Sequence, residues 1–197
     1  MTVDALAFDE ATHTYRIGGR VVPSVTRVIR EVLAPDEYAG IPLHVLDHAA
    51  KRGRAVDRMI ELDLAGELDP DSLHPELLPY WHAWQAFPDR QPWQDDPEWM
   101  SQGRVYSGPR HYAGTYDLLI PSARALVDIK ATAQVPRTVG VQTAAYADAM
   151  QSTVTLNRYC LHVTPAGCRL IPLTDKSDSA DFLAALRVFH WRHRHDA

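Results

Sequence analysis

Tyr112-Ala-Gly-Thr-Tyr-Asp117 and Asp128-Ile-Lys130 bracket the stretch that decides the fold. Between them, Leu118-Leu119-Ile120 and Ala125-Leu126-Val127 flank the polar Pro121-Ser122-Ala123-Arg124, the pattern of two core strands joined by a short hairpin loop. With Ile120 facing Ala125 across the turn, antiparallel register sets Asp117 opposite Asp128, side chains roughly 5 Å apart, and Lys130 shares their face. Facing carboxylates repel, so the pair calls for a cation between them, and a divalent metal is the natural one. The competing reading makes each aspartate a solvated strand end with Lys130 as an ordinary salt-bridge partner. The apolar strands on either side weigh against it, because an unpaired carboxylate is costly there.

Outward from this hairpin the sequence predicts an α/β chain. Residues 13–22 alternate around Gly18-Gly19 and predict an N-terminal β-hairpin ending at Pro23. Ser24 caps a helix carrying Val25, Val28, Ile29 and Val32, which Ala34-Pro35 stops. Leu46, Ala49, Ala50, Gly53, Val56, Ile60 and Leu64 recur at helical spacing over 43–65, and Asp57 falls inside that apolar stripe. Pro75 opens a third helix with an apolar stripe from Leu77 to Phe87, followed by a polar loop over 89–96. Strands are predicted near 99–107, 112–120 and 125–131, a helix over 138–150, strands over 155–163 and 168–173, and a last helix from Asp178.

The chain's 197 residues suit one domain, residues 1–197, with 46% hydrophobic and 23% charged residues, ordinary globular usage. No apolar run approaches the roughly 20 residues that span a bilayer, and no signal-peptide pattern precedes Asp9, so no membrane association and a cytoplasmic location are the expectations. Cys160 and Cys168 are too few for an iron-sulfur cluster or a four-thiolate zinc site and are expected as free thiols. A net charge of −5 disfavours nucleic acid as a partner, yet Lys51-Arg52-Gly-Arg54 and the basic, aromatic Arg187 to His195 supply local positive surface. His190, His193 and His195 lack zinc-like partners and read as a solvated basic helix end.

Hard cations prefer carboxylate and carbonyl oxygens, so Asp117, Asp128 and the carbonyl of Ile129 suit Mg²⁺ or Mn²⁺. Lys130 beside that cation can orient or deprotonate water or neutralise charge on phosphorus, a set of parts for phosphodiester hydrolysis. Gly114-Thr-Tyr-Asp117, Asp128-Ile-Lys130 and then Gln142-Thr-Ala-Ala-Tyr146 resemble the PD-(D/E)XK nuclease superfamily, its RecB-like, phage-type exonuclease branch above all. The likeness extends upstream to Ala50-Lys-Arg-Gly-Arg-Ala-Val-Asp57 and Val22-Pro-Ser-Val-Thr26, about two thirds of the chain.

This resemblance implies a restriction-endonuclease-like core, a mixed central β-sheet flanked by helices, and a metal-dependent deoxyribonuclease, with exonuclease action suggested by the RecB-like branch. It implies Asp117, Asp128 and Lys130 as catalytic residues, with Asp57, Asp117, Asp128 and Ile129 at the metal. Gln142 and Tyr146 would contact the DNA backbone or the lysine; Arg110 stands beside the motif strand and can touch phosphate or sit in a plain loop. The chain departs from the family at two places. Asp57 replaces a histidine ligand, with an ion pair to Arg54 or Arg58 as its alternative reading and Glu61 as a substitute; Gln102 stands where glutamate is frequent, with Glu98 as the other candidate. The rival functions are a catalytically weakened or inactive DNA-binding subunit, or a hydrolase of another phosphate ester. A protein partner or homo-oligomer stays open.

Overall fold

The computed structural model describes residues 5–151 and 154–195. At the N-terminus β1 (Ala7–Asp9), β2 (Thr14–Ile17) and β3 (Arg20–Val22) form an antiparallel sheet, one strand more than the expected hairpin. Ala7–Asp9 is too short to show alternation. The turn at Gly18 and Gly19 needs φ of +54° and +79°, which glycine adopts without strain. Tyr15 and Val22 bury against Ala113 of the main sheet, so this small sheet is docked onto the larger one.

Ser24 caps α1 (Val25–Val28) by accepting the Arg27 N–H, and the helix widens into a π-helical turn over Ile29–Leu33. The expected second helix is α2 (Leu43–Leu64), buried only in its C-terminal half at Val56, Met59, Ile60, Asp63 and Leu64. The helix expected from Pro75 is a 3-10 turn followed by α3 (Leu78–Gln85). The expected loop over 89–96 instead holds a further short helix, α4 (Arg90–Gln94), which seats Trp93 against Trp84 and Phe87. A single aromatic in five residues gives no periodicity to read.

The main sheet has five strands in chain order: β4 (Met100–Ser107), β5 (Tyr112–Ile120), β6 (Ala125–Lys130), β7 (Asn157–Thr164) and β8 (Gly167–Pro172). It is mixed: β6 and β7 run parallel, joined through α5 (Val139–Met150), and the other neighbours are antiparallel. α6 (Asp178–Arg192) closes the chain. One face packs on α2 and α3 through Val127, Ile129, Leu161 and Val163; the other packs on α1, α5 and α6 through Leu126, Tyr112 and Phe182. The fold is therefore α/β, with a mixed sheet covered on both faces. No helix among the described residues is long and apolar enough to cross a membrane.

Candidate active site

The hairpin register is the one the sequence predicts: Ile120 pairs with Ala125, Leu119 with Leu126 and Leu118 with Val127. The rungs end there. Asp117 turns its carboxylate into the line of the missing rungs, where Oδ2 accepts the backbone N–H of Ile129 at 2.7 Å. A local reversal of β5 explains this orientation. Residues two apart on a strand share a face, yet Tyr112 and Tyr116 pack toward α5 and α6 while Leu118 and Ile120 pack toward α2 and α3. The strand rolls over at Asp117. On β4 the pairing skips from Gly103↔Tyr116 to Ser101↔Leu118, and Gln102 between them takes φ of +51°. Such distortions re-aim a side chain, here into the widening between β5 and β6.

β6 keeps its alternation, so Asp128 and Lys130 share the face toward α5. Lys130 Nζ stands 2.6 Å from Asp128 Oδ2. Gln142 donates from Nε2 to Asp128 Oδ1 at 2.7 Å and to the Tyr146 hydroxyl at 3.1 Å. The i, i+4 pair on α5 thus grips the acid, rather than the lysine. Gly114 explains how Tyr146 gets so close: a Cβ there would fall inside the van der Waals radius of the Tyr146 ring. Within a strand, N–H and C=O of one residue point the same way. The carbonyl of Ile129, whose N–H meets Asp117, therefore also faces the gap.

Asp57 arrives from α2 on the other layer. Its Oδ1 is buried without a hydrogen-bond partner. Among the described residues Asp57 forms an ion pair with neither Arg58, which bonds Glu61 at 2.9 Å, nor Arg54, whose charge lowers its pKa only as the last of five influences. Glu61 is also held by Ser101 at 2.9 Å, so it is committed elsewhere. Glu98 and Gln102 are exposed. Arg110 is not brought to the acids; its guanidinium pairs with Asp148 at the far end of α5.

Burial, and then the charge of Asp128, push the Asp117 carboxyl up to about 7. Burial, then Asp117, raises Asp57 well above the usual carboxylate range. Asp128 is also raised by burial, although Lys130 pulls it back. Burial works against the charge on Lys130, and Asp128 with Asp117 outweighs it, so its pKa rises. The two partners of the Lys130–Asp128 pair thus shift upward for different reasons, Asp128 through burial and Lys130 through the three carboxylates around it. Burial and the same acids also raise Tyr146, and Cys160, beside Asp128 on β7, is pushed up to about 12, chiefly by burial. Cys160 is an unreactive thiol.

With every acid ionised the cluster carries three negative charges against one positive, a surplus equal to one divalent cation. Among the described residues no three His, Cys, Asp or Glu side chains close into metal-ligand geometry. The donor set nevertheless fits a hard cation: Asp117 and Asp128, the Ile129 carbonyl and the orphaned Asp57 Oδ1 are all oxygens, and Mg²⁺ takes one or two carboxylates and keeps its waters.

A cleft of about 540 Å³ opens from Lys130 and Gln142 along α1 and the small sheet, with Ser24, Thr26, Arg30 and Tyr38 in its walls. Tyr38 is 50% exposed, an aromatic with no core to fill. Nothing in its loop sequence marks it. His162 was also missed by the sequence reading: it lies beside Lys130 on β7, buried, its ring bonded to the Thr132 carbonyl at 2.8 Å where the chain leaves β6. Its position depends on the parallel β6/β7 register, to which no local pattern points.

No family model matches this chain, and no curated protein matches it. Among solved structures it is similar to that of SSO0001, with 12% identity and a TM-score of 0.40 over 87% of this chain and 80% of that one, a likeness that carries no argument about fold or activity.

Proposed function

We propose that this chain is a Mg²⁺- or Mn²⁺-dependent DNA nuclease with a restriction-endonuclease-like core, of the RecB-like exonuclease kind its motifs resemble. The observation that carries this reading is the surplus of buried carboxylate charge around one ammonium, with an acceptor oxygen of Asp57 left unused. Asp117, Asp128, the Ile129 carbonyl and Asp57 would hold the cation. When bound, it supplies Lewis acidity toward phosphate and acidifies water. Lys130, kept charged by its three acids, donates to the non-bridging phosphate oxygens and stabilises the charge that grows there as water adds to phosphorus and one P–O bond breaks. Gln142 fixes the Asp128 carboxylate, and Tyr146 fixes Gln142.

End-labelled linear DNA and circular DNA incubated with Mg²⁺, Mn²⁺ or EDTA test the reading. Metal-dependent cleavage, lost in Asp117→Ala and in Lys130→Ala with folding retained, is expected. Undiminished cleavage in either purified variant, or none with any metal in the unsubstituted protein, overturns it. The lack of a carboxylate at Gln102 favours a second reading, a DNA-binding subunit with a decayed site. Calorimetry with Mn²⁺ separates the two, since that subunit binds DNA without binding the metal.

A further inference from the structure

The basic, aromatic C-terminal segment is not used by the site above. In the fold it forms one wall of a groove of about 780 Å³ between the β2–β3 hairpin and the end of α6, lined by Arg20, Tyr106, His111, Phe189, His190 and His193 among others. No Asp or Glu lines it, in a chain whose acids outnumber its Lys and Arg 25 to 20. Arg27 spans its floor, paired behind with Glu31 at 2.7 Å and lying 5.2 Å over the Phe189 ring. His193 stacks on the buried Phe189 at 4.2 Å, its ring nitrogens taken up by Glu31 at 3.3 Å and the Phe189 carbonyl at 2.9 Å. Arg20, on the edge strand β3, is exposed and has no ion-pair partner among the described residues. Val21, Val22 and Arg27 also line the cleft that begins at Lys130, so the two hollows adjoin across the end of β3 and the start of α1.

Cations that meet phosphates and ring faces that take stacked bases are what single-stranded nucleic acid requires; here Arg20 supplies an exposed guanidinium, and His111, His190 and the half-buried Tyr106 line the same groove. We infer that this groove is a second binding track for single-stranded DNA, carrying the strand onward from the cleft at Lys130. The identity of the ligand rests on the nuclease reading, whereas its binding does not require cleavage.

Fluorescence anisotropy in EDTA, with labelled oligothymidylates of about 5 and about 20 nucleotides, tests it. The longer strand should bind at least about tenfold more tightly, since it alone spans both hollows. Arg20→Glu should erase most of that gain and lower the salt slope by roughly 0.7, one phosphate contact on a single strand. Lys176→Glu, an equal change in net charge at the opposite end of α6, should leave it intact, and Arg20→Gln should lie between. Equal losses in Arg20→Glu and Lys176→Glu, or no gain with length, overturn the inference. So does displacement of the 20-mer by inorganic polyphosphate as readily as by unlabelled DNA, which marks a groove for any polyanion. Length-dependent binding without metal-dependent cleavage would leave this track standing and sink the nuclease reading; cleavage with no gain from length would do the reverse.

Discussion

Replacing Asp117 with asparagine removes one charge from the acid cluster and keeps an oxygen to accept the Ile129 N–H. Burial and Asp128 hold the native carboxyl at about 7, against about 3.9 for a free aspartate, a gap of about 3 pH units. At 1.36 kcal/mol per unit the ceiling on its destabilisation of the metal-free protein is about 4 kcal/mol. Lys130 loses part of its counter-charge in the variant and the site is partly solvated, which leaves roughly 2 kcal/mol. The sign follows from the raised folded value: between about pH 4 and pH 7 the native state keeps a proton that the unfolded chain has released, so stability falls as pH rises through that window. Below about pH 4 the carboxyl is neutral in both the native and the unfolded state, and asparagine should change little; near about pH 5 roughly a third of the gain should be present. Near about pH 8 the variant should gain its full roughly 2 kcal/mol, about 4–8 °C in Tm for a chain of this size. Urea denaturation in EDTA followed by tryptophan fluorescence measures both. A variant no more stable than the parent near pH 8 would refute the claim that these carboxylates strain the metal-free fold.

Mg²⁺ should stabilise the unsubstituted protein by about 3 kcal/mol at a hundredfold excess over its Kd, and Asp117→Asn and Asp128→Asn should lose that gain in a thermal-shift titration. Lys130→Met leaves Asp128 facing its neighbours without the ammonium at 2.6 Å; the metal-free variant should lose about 3–5 kcal/mol, more near neutral pH than in acid, by chemical denaturation. Gly114→Ala drives a methyl into the Tyr146 ring, so it should cost about 1–3 kcal/mol and also slow cleavage by loosening Gln142 from Asp128. Asp63 bonds Trp84 Nε1 at 2.7 Å and Arg90 at 3.0 Å, in the core and away from the cleft; Asp63→Ala should lose about 3 kcal/mol of stability while cleavage per folded molecule stays at the parent rate.

The hairpin register was legible because its contacts are local: a four-residue polar break between two apolar triplets fixes it, although the expected Asp117–Asp128 rung is not made, because Asp117 turns to accept the Ile129 N–H. Asp57 was legible because helical spacing exposes a charge that sits on the wrong side of its stripe. The roll at Asp117 was not. In Tyr112 to Ile120 every even-numbered residue is buried, first on one layer and then on the other, so the alternation runs unbroken through the change of face and gives no sign of it. Ala7–Asp9 and Arg90–Gln94 were missed because three and five residues are too few to set a period. The neighbours of Lys130 on β7, Cys160 and His162, follow from a parallel pairing made through a helical crossover, which no short pattern encodes.

The choice of aspartate at these positions is informative beyond its geometry. Bridging the gap between β5 and β6 takes one acceptor oxygen for the Ile129 N–H, and an asparagine amide provides that oxygen without a buried charge. The Gln142 donor at Asp128 would be met as well by a neutral carbonyl. At Asp57 the folded chain uses Oδ1 for nothing at all. Each position therefore carries a charge that its hydrogen bonds do not require and that burial opposes, and Lys130, which is the counter-ion of Asp128, is the one ammonium whose charge all three feel. Hydrogen bonding explains the oxygens of Asp117 and Asp128; the proposed cation would explain why all three side chains are ionisable.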